Sequence, residues 1–370
     1  MKYVQINAYG YGSTGSIMRN IHKERLRDGD ESYIAWARGP ASREPNEYRF
    51  GTKFDVYMHA GLHRLFGMGG LMGSKRATEQ LVSWLEDIDP DVVHLHNLHG
   101  YTIHLPVLFN YLKRAEKPVV WTLHDCWAFT GHCGYFTYAK CLQWISHCGH
   151  EASCPQKHMA PKTAAGTWAV RRSFELKKKL FCSLEKVDIV TPSQWLADLA
   201  GQSYLGKYPI SVKNNVIDEN VFRPVESDAR RRYGIGNRIM VLGVASPWTE
   251  RKGFGDYLAV AQRLPSDYVM VLVGLSERQM RSLPQGIIGM TRTSDARQLA
   301  ELYSAADVFL LLSYEENYPT VALEARACGT RIIAYDSGGS LEAAGQDAVA
   351  VPVGNIKEVI SAIMSMKKGT

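Results

Sequence analysis

Apolar and polar positions fall into two successive sets of short, β-rich runs separated by stretches with helical spacing. In the first half Tyr3–Asn7, Tyr33–Ala37, Val92–His96, Val119–Leu123 and Val187–Thr191 read as strands, and Ile210–Asn214 closes the set. Each run is rich in β-branched residues and bounded by turn or charged residues. In the second half Ile239–Val244, Tyr268–Val273, Val308–Ser313 and Arg331–Tyr335 read the same way, with helical stretches such as Ala296–Ala305 and Thr320–Ala327 between them. Strand alternating with helix is the pattern of a parallel sheet covered on both faces. The predicted fold class is α/β, two Rossmann-like domains whose parallel sheets face each other across a cleft. The polar, Arg-rich stretch Asp218–Arg238, with Pro224 inside it, reads as a connector and divides the chain into 1–222 and 223–370.

Composition narrows the classes. A hydrophobic fraction of 45% excludes wholesale disorder, and 370 residues exceed the roughly 250–300 that one core organises. A net charge of +6 is far from a nucleic-acid-packaging balance, yet suits an anionic ligand or surface. The surplus is local: eight basic residues of 155–186 (Lys157, Lys162, Arg171, Arg172, Lys177, Lys178, Lys179, Lys186) face only Glu175 and Glu185. That segment reads as a solvated helix face or as a basic face resting on anionic lipid. With no basic-then-apolar start and no apolar run of about 18 residues, a cytoplasmic protein is expected, peripheral at the inner face of the membrane if that basic face binds it. All twelve histidines lie at or before His158, so the two halves carry different chemistry.

Gly10-Tyr11-Gly12-Ser13-Thr14-Gly15 matches G-x-G-x-x-G between a strand and a helix, where backbone N–H groups approach a phosphate. An NADP-dependent oxidoreductase is one reading, since Arg38 at the end of the second strand suits a 2′-phosphate. In the second half Glu316 follows a strand and Glu324 lies eight residues on, in the next helix. Carboxylates accept hydrogen bonds only, so paired sugar hydroxyls suit them. Arg251 and Lys252, after the strand Ile239–Val244, form a place to neutralise a diphosphate.

The Arg251-Lys252-Gly253 turn, the Glu316/Glu324 pair, Ala327-Cys328-Gly329-Thr330 and Asp336-Ser337-Gly338-Gly339 resemble the donor half of family-four retaining glycosyltransferases of the GT-B fold. In the first half the Gly-rich loop, Asp91–Asn97 and Val119–Asp125 are similar to the same family, closest to its capsular and colanic-acid branch. The resemblance implies a nucleotide-sugar donor, UDP- or GDP-linked, and an acceptor that is a saccharide or a polyprenyl-diphosphate-linked saccharide. It implies that Lys252 and Arg251 meet the diphosphate, Glu316 the donor sugar and Glu324 the ribose. Asn317, Tyr318, Pro319 and Thr320 would complete that loop, with Gly289 and Arg292 lining the base. His124 would stand beside the transferred sugar and Gly12 near the phosphates. It implies no metal or other cofactor for catalysis. Asn215 stands where the family commonly has glycine, and a positive φ is expected there. The alternatives on the same fold are a sugar-nucleotide epimerase and a non-catalytic sugar-nucleotide binding protein.

Three features stand outside this reading. Cys133, Cys141, Cys148 and Cys154 could supply four thiolates to a structural zinc, with His132, His147 and His150 as rival ligands, or could be free or redox-active thiols. Asp87-Ile88-Asp89 and His94-x-His96 resemble metal motifs, but read better as helix-end acids and as two rings on one strand face. Phe54–Met72 is apolar and Met-rich, and reads as core or as an apolar wall for a lipid-linked acceptor.

Overall fold

The computed structural model describes residues 1–67, 69–149, 154–156 and 166–366. Met68, His150, Lys157, His158 and Lys162 lie outside the described residues. The chain forms two compact units, Met1–Asn214 and Asn215–Thr370.

The first unit holds β1 (Lys2–Tyr9), β2 (Glu31–Arg38), β3 (Glu47–Arg49), β4 (Val92–Leu95), β5 (Val119–Thr122), β6 (Val187–Thr191) and β7 (Ile210–Val212). They make one sheet in the order β3-β2-β1-β4-β5-β6-β7, with every pair parallel. The strand order reverses between β1 and β4, and a crevice opens at such a point beyond the carboxyl ends of the strands. Tyr9, His96 and His124 stand at those ends.

The second unit holds β8 (Ile239–Val244), β9 (Tyr268–Val273), β10 (Ile287–Met290), β11 (Val308–Leu311), β12 (Arg331–Tyr335) and β13 (Val349–Val351). Their order is β10-β9-β8-β11-β12-β13, again parallel, with the reversal between β8 and β11. Met240 and Leu242 enter one core cluster while Val241 between them enters another, so both faces of this sheet are covered. That is why its strands read as continuous apolar runs.

Every strand read from the sequence is present, the closing one as Ile210–Val212. The short strands β3, β10 and β13 lie at the sheet edges and carry too few alternating positions to register. The connector is more than a linker: Phe222, Ala229 and Ile235 join the second core, and Arg230 pairs with Asp307. Asn215 does not take the left-handed backbone. Its side-chain amide instead donates to the Tyr318 carbonyl at 3.0 Å, a contact glycine has no atoms to make.

Candidate functional site

In the second unit the loop after β8 turns through Ala245–Thr249 into a short 3-10 turn, Glu250–Lys252, capped by Thr249. Gly253 follows at φ +71°, and a Cβ there would lie 2.0 Å from the Leu312 carbonyl oxygen. The absent side chain lets this turn press against the end of β11. There the Tyr314 N–H donates to the Arg251 carbonyl at 2.8 Å, and the Arg251 guanidinium donates to the Glu315 carbonyl at 2.7 Å. Lys252 Nζ is ion-paired with Glu316 Oε1. The Glu316 side chain is buried and that of Lys252 about one-fifth exposed.

The Glu316 loop is held from the other side by the turn after β12. The Ser337 hydroxyl donates to the Ser313 carbonyl at 2.7 Å, and the Gly339 N–H to the Glu316 carbonyl at 3.1 Å. Asn317 is buried beside them, and Pro319 caps the helix Thr320–Ala327. Glu324 lies within that helix, with the Tyr303 hydroxyl donating to its Oε2 at 3.0 Å. Burial raises the Glu324 pKa, against the hydrogen bonds from Tyr303 and Thr320. Gly289 lies in β10, where Leu275, Met280 and Leu283 pack too closely for a Cβ, and Arg292 is exposed on the loop beyond it. Contacts therefore join Arg251, Lys252 and Glu316 into one cluster. Glu324 is fixed by a partner of its own, and Gly289 and Arg292 belong to the opposite flank of the sheet.

In the first unit Gly12 takes φ +76° at the start of the helix Gly12–Arg27. His124 follows β5 and is 9% exposed. Its Nε2 lies 3.1 Å from His96 Nδ1, and burial brings its pKa down to about 4. Asp125 accepts from Trp127 N–H at 2.9 Å and lies 2.8 Å from His99 Nε2. Burial favours its neutral form, but His99 and the Trp127 N–H outweigh that and leave its pKa below the ordinary carboxylate value.

Beside these residues lies a cavity of about 360 Å³, which no motif in the sequence announced. Its lining includes Arg38, His59, His63, His99, Tyr101, Trp127 and His132. His59 and His63 are the buried face of the helix Lys53–Phe66, which a Thr52–Asp55 capping box begins and Gly67 ends. The Gly70 N–H donates to His59 Nε2 and Ser74 Oγ meets its Nδ1, so this ring is neutral with its proton on Nδ1. Phe54, Tyr57, Met58 and Leu65 lie on the exposed face, Phe54 and Tyr57 more than 70% exposed. The amphipathicity is thus the reverse of a core helix: histidines point to the cavity and apolar side chains point outward. A histidine pair four residues apart was the one available sequence signal.

The basic segment is corrected in one respect. Lys177 is buried, its ammonium 4.1 Å from the Trp127 ring centroid and donating to the Trp127 carbonyl at 2.5 Å. Arg171, Arg172, Lys178, Lys179 and Lys186 are the exposed remainder, and Glu175 engages Arg171 and His147. Burial brings the Lys177 pKa down to about 7, with Cys148, Cys133 and Asp125 opposing. A folded pKa below the unfolded value means that the unfolded chain binds more protons between about pH 7 and 10, so stability rises with pH across that window. We expect the melting temperature of the wild type to climb relative to Lys177→Met from pH 7 to 10, and the difference to be flat below pH 7. A constant difference over both ranges in paired thermal melts would refute this reading.

The cysteine cluster, read from sequence as a structural zinc site or as free thiols, borders the same surroundings. Cys133 and Cys148 are buried, and burial raises both thiols, Cys148 up to about 12. Cys154 Sγ lies 3.6 Å from His132 Nε2, and Cys141 is half-buried. Among the described residues, no three His, Cys, Asp or Glu side chains form a group able to hold a metal ion. Asp89 caps the helix Lys75–Ile88 and pairs with Lys117 at 2.9 Å, and the rings of His94 and His96 stack 4.4 Å apart inside the sheet face.

Residues 236–368 match the family model for glycosyl transferases, group 1. The colanic acid biosynthesis glycosyl transferase WcaC of Escherichia coli (strain K12) is 23% identical over 92% of this chain and 85% of its own length. Sucrose-phosphate synthase from Thermosynechococcus elongatus superposes with a TM-score of 0.70 over 98% of this chain and 89% of that one, at 15% identity. Anabaena HepE in complex with UDP and glucose superposes at 0.67, over 99% and 89%, also at 15% identity.

Proposed function

The chain carries a glycosyl transferase group 1 domain, residues 236–368, on a GT-B fold, and from that premise we propose its reaction. A sugar passes, with retention of anomeric configuration, from a nucleotide-diphosphate donor to a lipid-linked saccharide acceptor during surface polysaccharide synthesis. Residues 223–370 bind the donor and residues 1–222 the acceptor. The observation that carries this reading is the Lys252–Glu316 pair at the strand-order reversal of the second sheet. A cation and an acceptor-only carboxylate, side by side, match the two ends of a sugar diphosphate. Lys252 neutralises the departing diphosphate with Arg251 beside it, Glu316 holds sugar hydroxyls, and Glu324 the ribose. Asn317, Tyr318 and Thr320 complete the donor loop, and Gly289 and Arg292 border the base. His124 contacts the transferred sugar. Support comes from HepE, which binds UDP and glucose, and from the polysaccharide role in the name of WcaC.

The lipid-linked acceptor rests on the first unit. The cavity offers imidazoles, Tyr101 and Trp127 to a saccharide, and the outer face of the helix Lys53–Phe66 offers Phe54, Tyr57 and Leu65 to lipid. In this reading the apolar face and the exposed basic residues Arg171, Arg172, Lys178 and Lys179 supply the contact with an anionic bilayer.

The test is a screen of UDP- and GDP-sugars, read by thermal shift and by product mass with polyprenyl-diphosphate-saccharide acceptors. Stabilisation by one donor and a matching mass increment are expected. Stabilisation by NADPH alone would overturn the proposal. Tyr101→Ala should raise the acceptor KM about ten-fold with the donor KM unchanged, the scale of one lost stacking or hydrogen-bond contact.

A further inference from the structure

Behind His124 runs a line of buried polar side chains that the donor site does not use. Gln5 in β1, His96 after β4 and His124 after β5 lie on three adjacent strands, all fully or nearly buried. His96 Nε2 is 3.1 Å from the Gln5 amide, and His96 Nδ1 is 3.1 Å from His124 Nε2. The two imidazoles are nearly coplanar in orientation, 14° apart.

The Gln5 amide gives one end of this line a fixed polarity. With the amide assigned so that each of its groups meets a complement, its nitrogen donates to the Met18 carbonyl at 3.3 Å and to His96 Nε2 at 3.1 Å, and its oxygen accepts the His22 backbone N–H at 3.1 Å. The reversed amide would set oxygen against the Met18 carbonyl oxygen and N–H against N–H, so the helix backbone admits one orientation. From there the protons follow by counting. Gln5 donates to His96 Nε2, which is therefore unprotonated. A neutral imidazole carries one proton, so that of His96 is on Nδ1 and points at His124 Nε2. His124 Nε2 is then an acceptor, and the proton of His124 is on Nδ1.

We infer that Gln5 and His96 are positioning residues that lock His124 as the Nδ1–H tautomer, with its Nε2 committed to His96 and not serving as a base. Burial supports neutral rings throughout: it lowers His96 well below its ordinary pKa and His124 to about 4. His94, stacked on the other side of His96, is held by Thr122 Oγ1 at 2.8 Å. Trp121 Nε1 donates to the His96 carbonyl at 3.1 Å, so both ring and backbone of the middle member are fixed. The functional half of this inference rests on the proposed role of His124, whereas the tautomer itself does not.

The experiment is a long-range proton–nitrogen correlation spectrum of the full chain with ring-labelled histidine, assigned by the signals lost in His124→Gln and His96→Asn. Expected are a protonated Nδ1 and an unprotonated Nε2 on both His96 and His124. A protonated Nε2 on His124 overturns the inference, whether or not any sugar is transferred. In the transfer assay, Gln5→Leu should lower kcat about ten-fold with the donor KM unchanged, the scale of one misplaced hydrogen bond. His96→Asn keeps an N–H near the Nδ1 position and should recover turnover that His96→Leu loses. Equal kcat for these two variants, with equal melting temperatures, would refute the positioning role. Absence of transfer with every donor would refute the proposed function and leave the spectrum to decide the tautomer.

Discussion

Replacing Lys252 with alanine is expected to lower kcat for sugar transfer by about 10²–10³-fold, the scale of removing one preorganised group from developing charge. The reason lies in what holds the ammonium. Lys is a flexible point charge with considerable rotamer entropy. The loop of its partner Glu316 is anchored by the Arg251 turn at Tyr314 and Glu315 and by the Gly339 N–H at the Glu316 carbonyl, so the cation is ordered before the donor arrives. A diphosphate leaving group would then meet a charge that needs no reorganisation. Removing Lys252 also strands a buried carboxylate, so a stability loss accompanies the kinetic one. With the Lys252 side chain about one-fifth exposed, that loss should fall below the roughly 3–5 kcal/mol of a fully buried pair. Glu316→Gln separates the effects, because it keeps the shape while removing the charge and turning one acceptor oxygen into a donor amide. Turnover should fall in both variants, melting temperature mainly in Lys252→Ala, and the double variant should be strongly non-additive. Wild-type turnover in both single variants would sink the site.

The second large effect is expected from Gly338→Ala, a residue that touches no donor group in the proposed site. Gly338 has φ +57°, and a Cβ there would stand 1.9 Å from the Glu316 carbonyl oxygen, with the carbonyl carbon and backbone N at 3.1 and 3.5 Å. The obstacle is backbone, not the end of a flexible side chain, so the Glu316 loop has to move. Left-handed strain alone costs about 1–3 kcal/mol. A displacement of about 1 Å in a positioned carboxylate costs on the order of 10²-fold in rate. Gly255→Ala is the control. Gly255 lies in the helix Phe254–Ala261, where an added methyl group would meet nothing within 4 Å, and alanine is favoured there by roughly 0.5–1 kcal/mol. Turnover and thermal melts of the two variants should move in opposite directions in stability, and only Gly338→Ala should lose rate. Equal behaviour would mean that the close approach to Glu316 does not position it.

Much of the second unit was legible because its signals are local. The runs that became β8, β9, β11 and β12 are continuous apolar segments, and Lys252 and Glu316 each stand just past one of them. A strand end is visible in sequence, and strand ends are where a parallel sheet puts chemistry. Even so, the ion pair between these two side chains joins residues 64 positions apart and has no local signature. The first unit was less legible. The polarity of the helix Lys53–Phe66 reads as apolar in sequence, yet its histidines turn in and its phenylalanine and tyrosine turn out. Which face is inward depends on the cavity behind it. Lys177 reads as one more member of a basic run, and its burial against Trp127 depends on a segment 50 residues earlier. The cysteines crowd in sequence, but crowding does not fix which thiols converge.

Local period and turn chemistry already set the alternation of strand and helix, the two parallel sheets and the strand ends at which Lys252, Glu316 and His124 stand. Tertiary structure alone decided the Lys252–Glu316 pairing, the inward histidines, the buried lysine and the proton on His124. Each of those depends on which group faces which across the fold, and in a buried site one missing or reversed hydrogen-bond partner decides charge and tautomer.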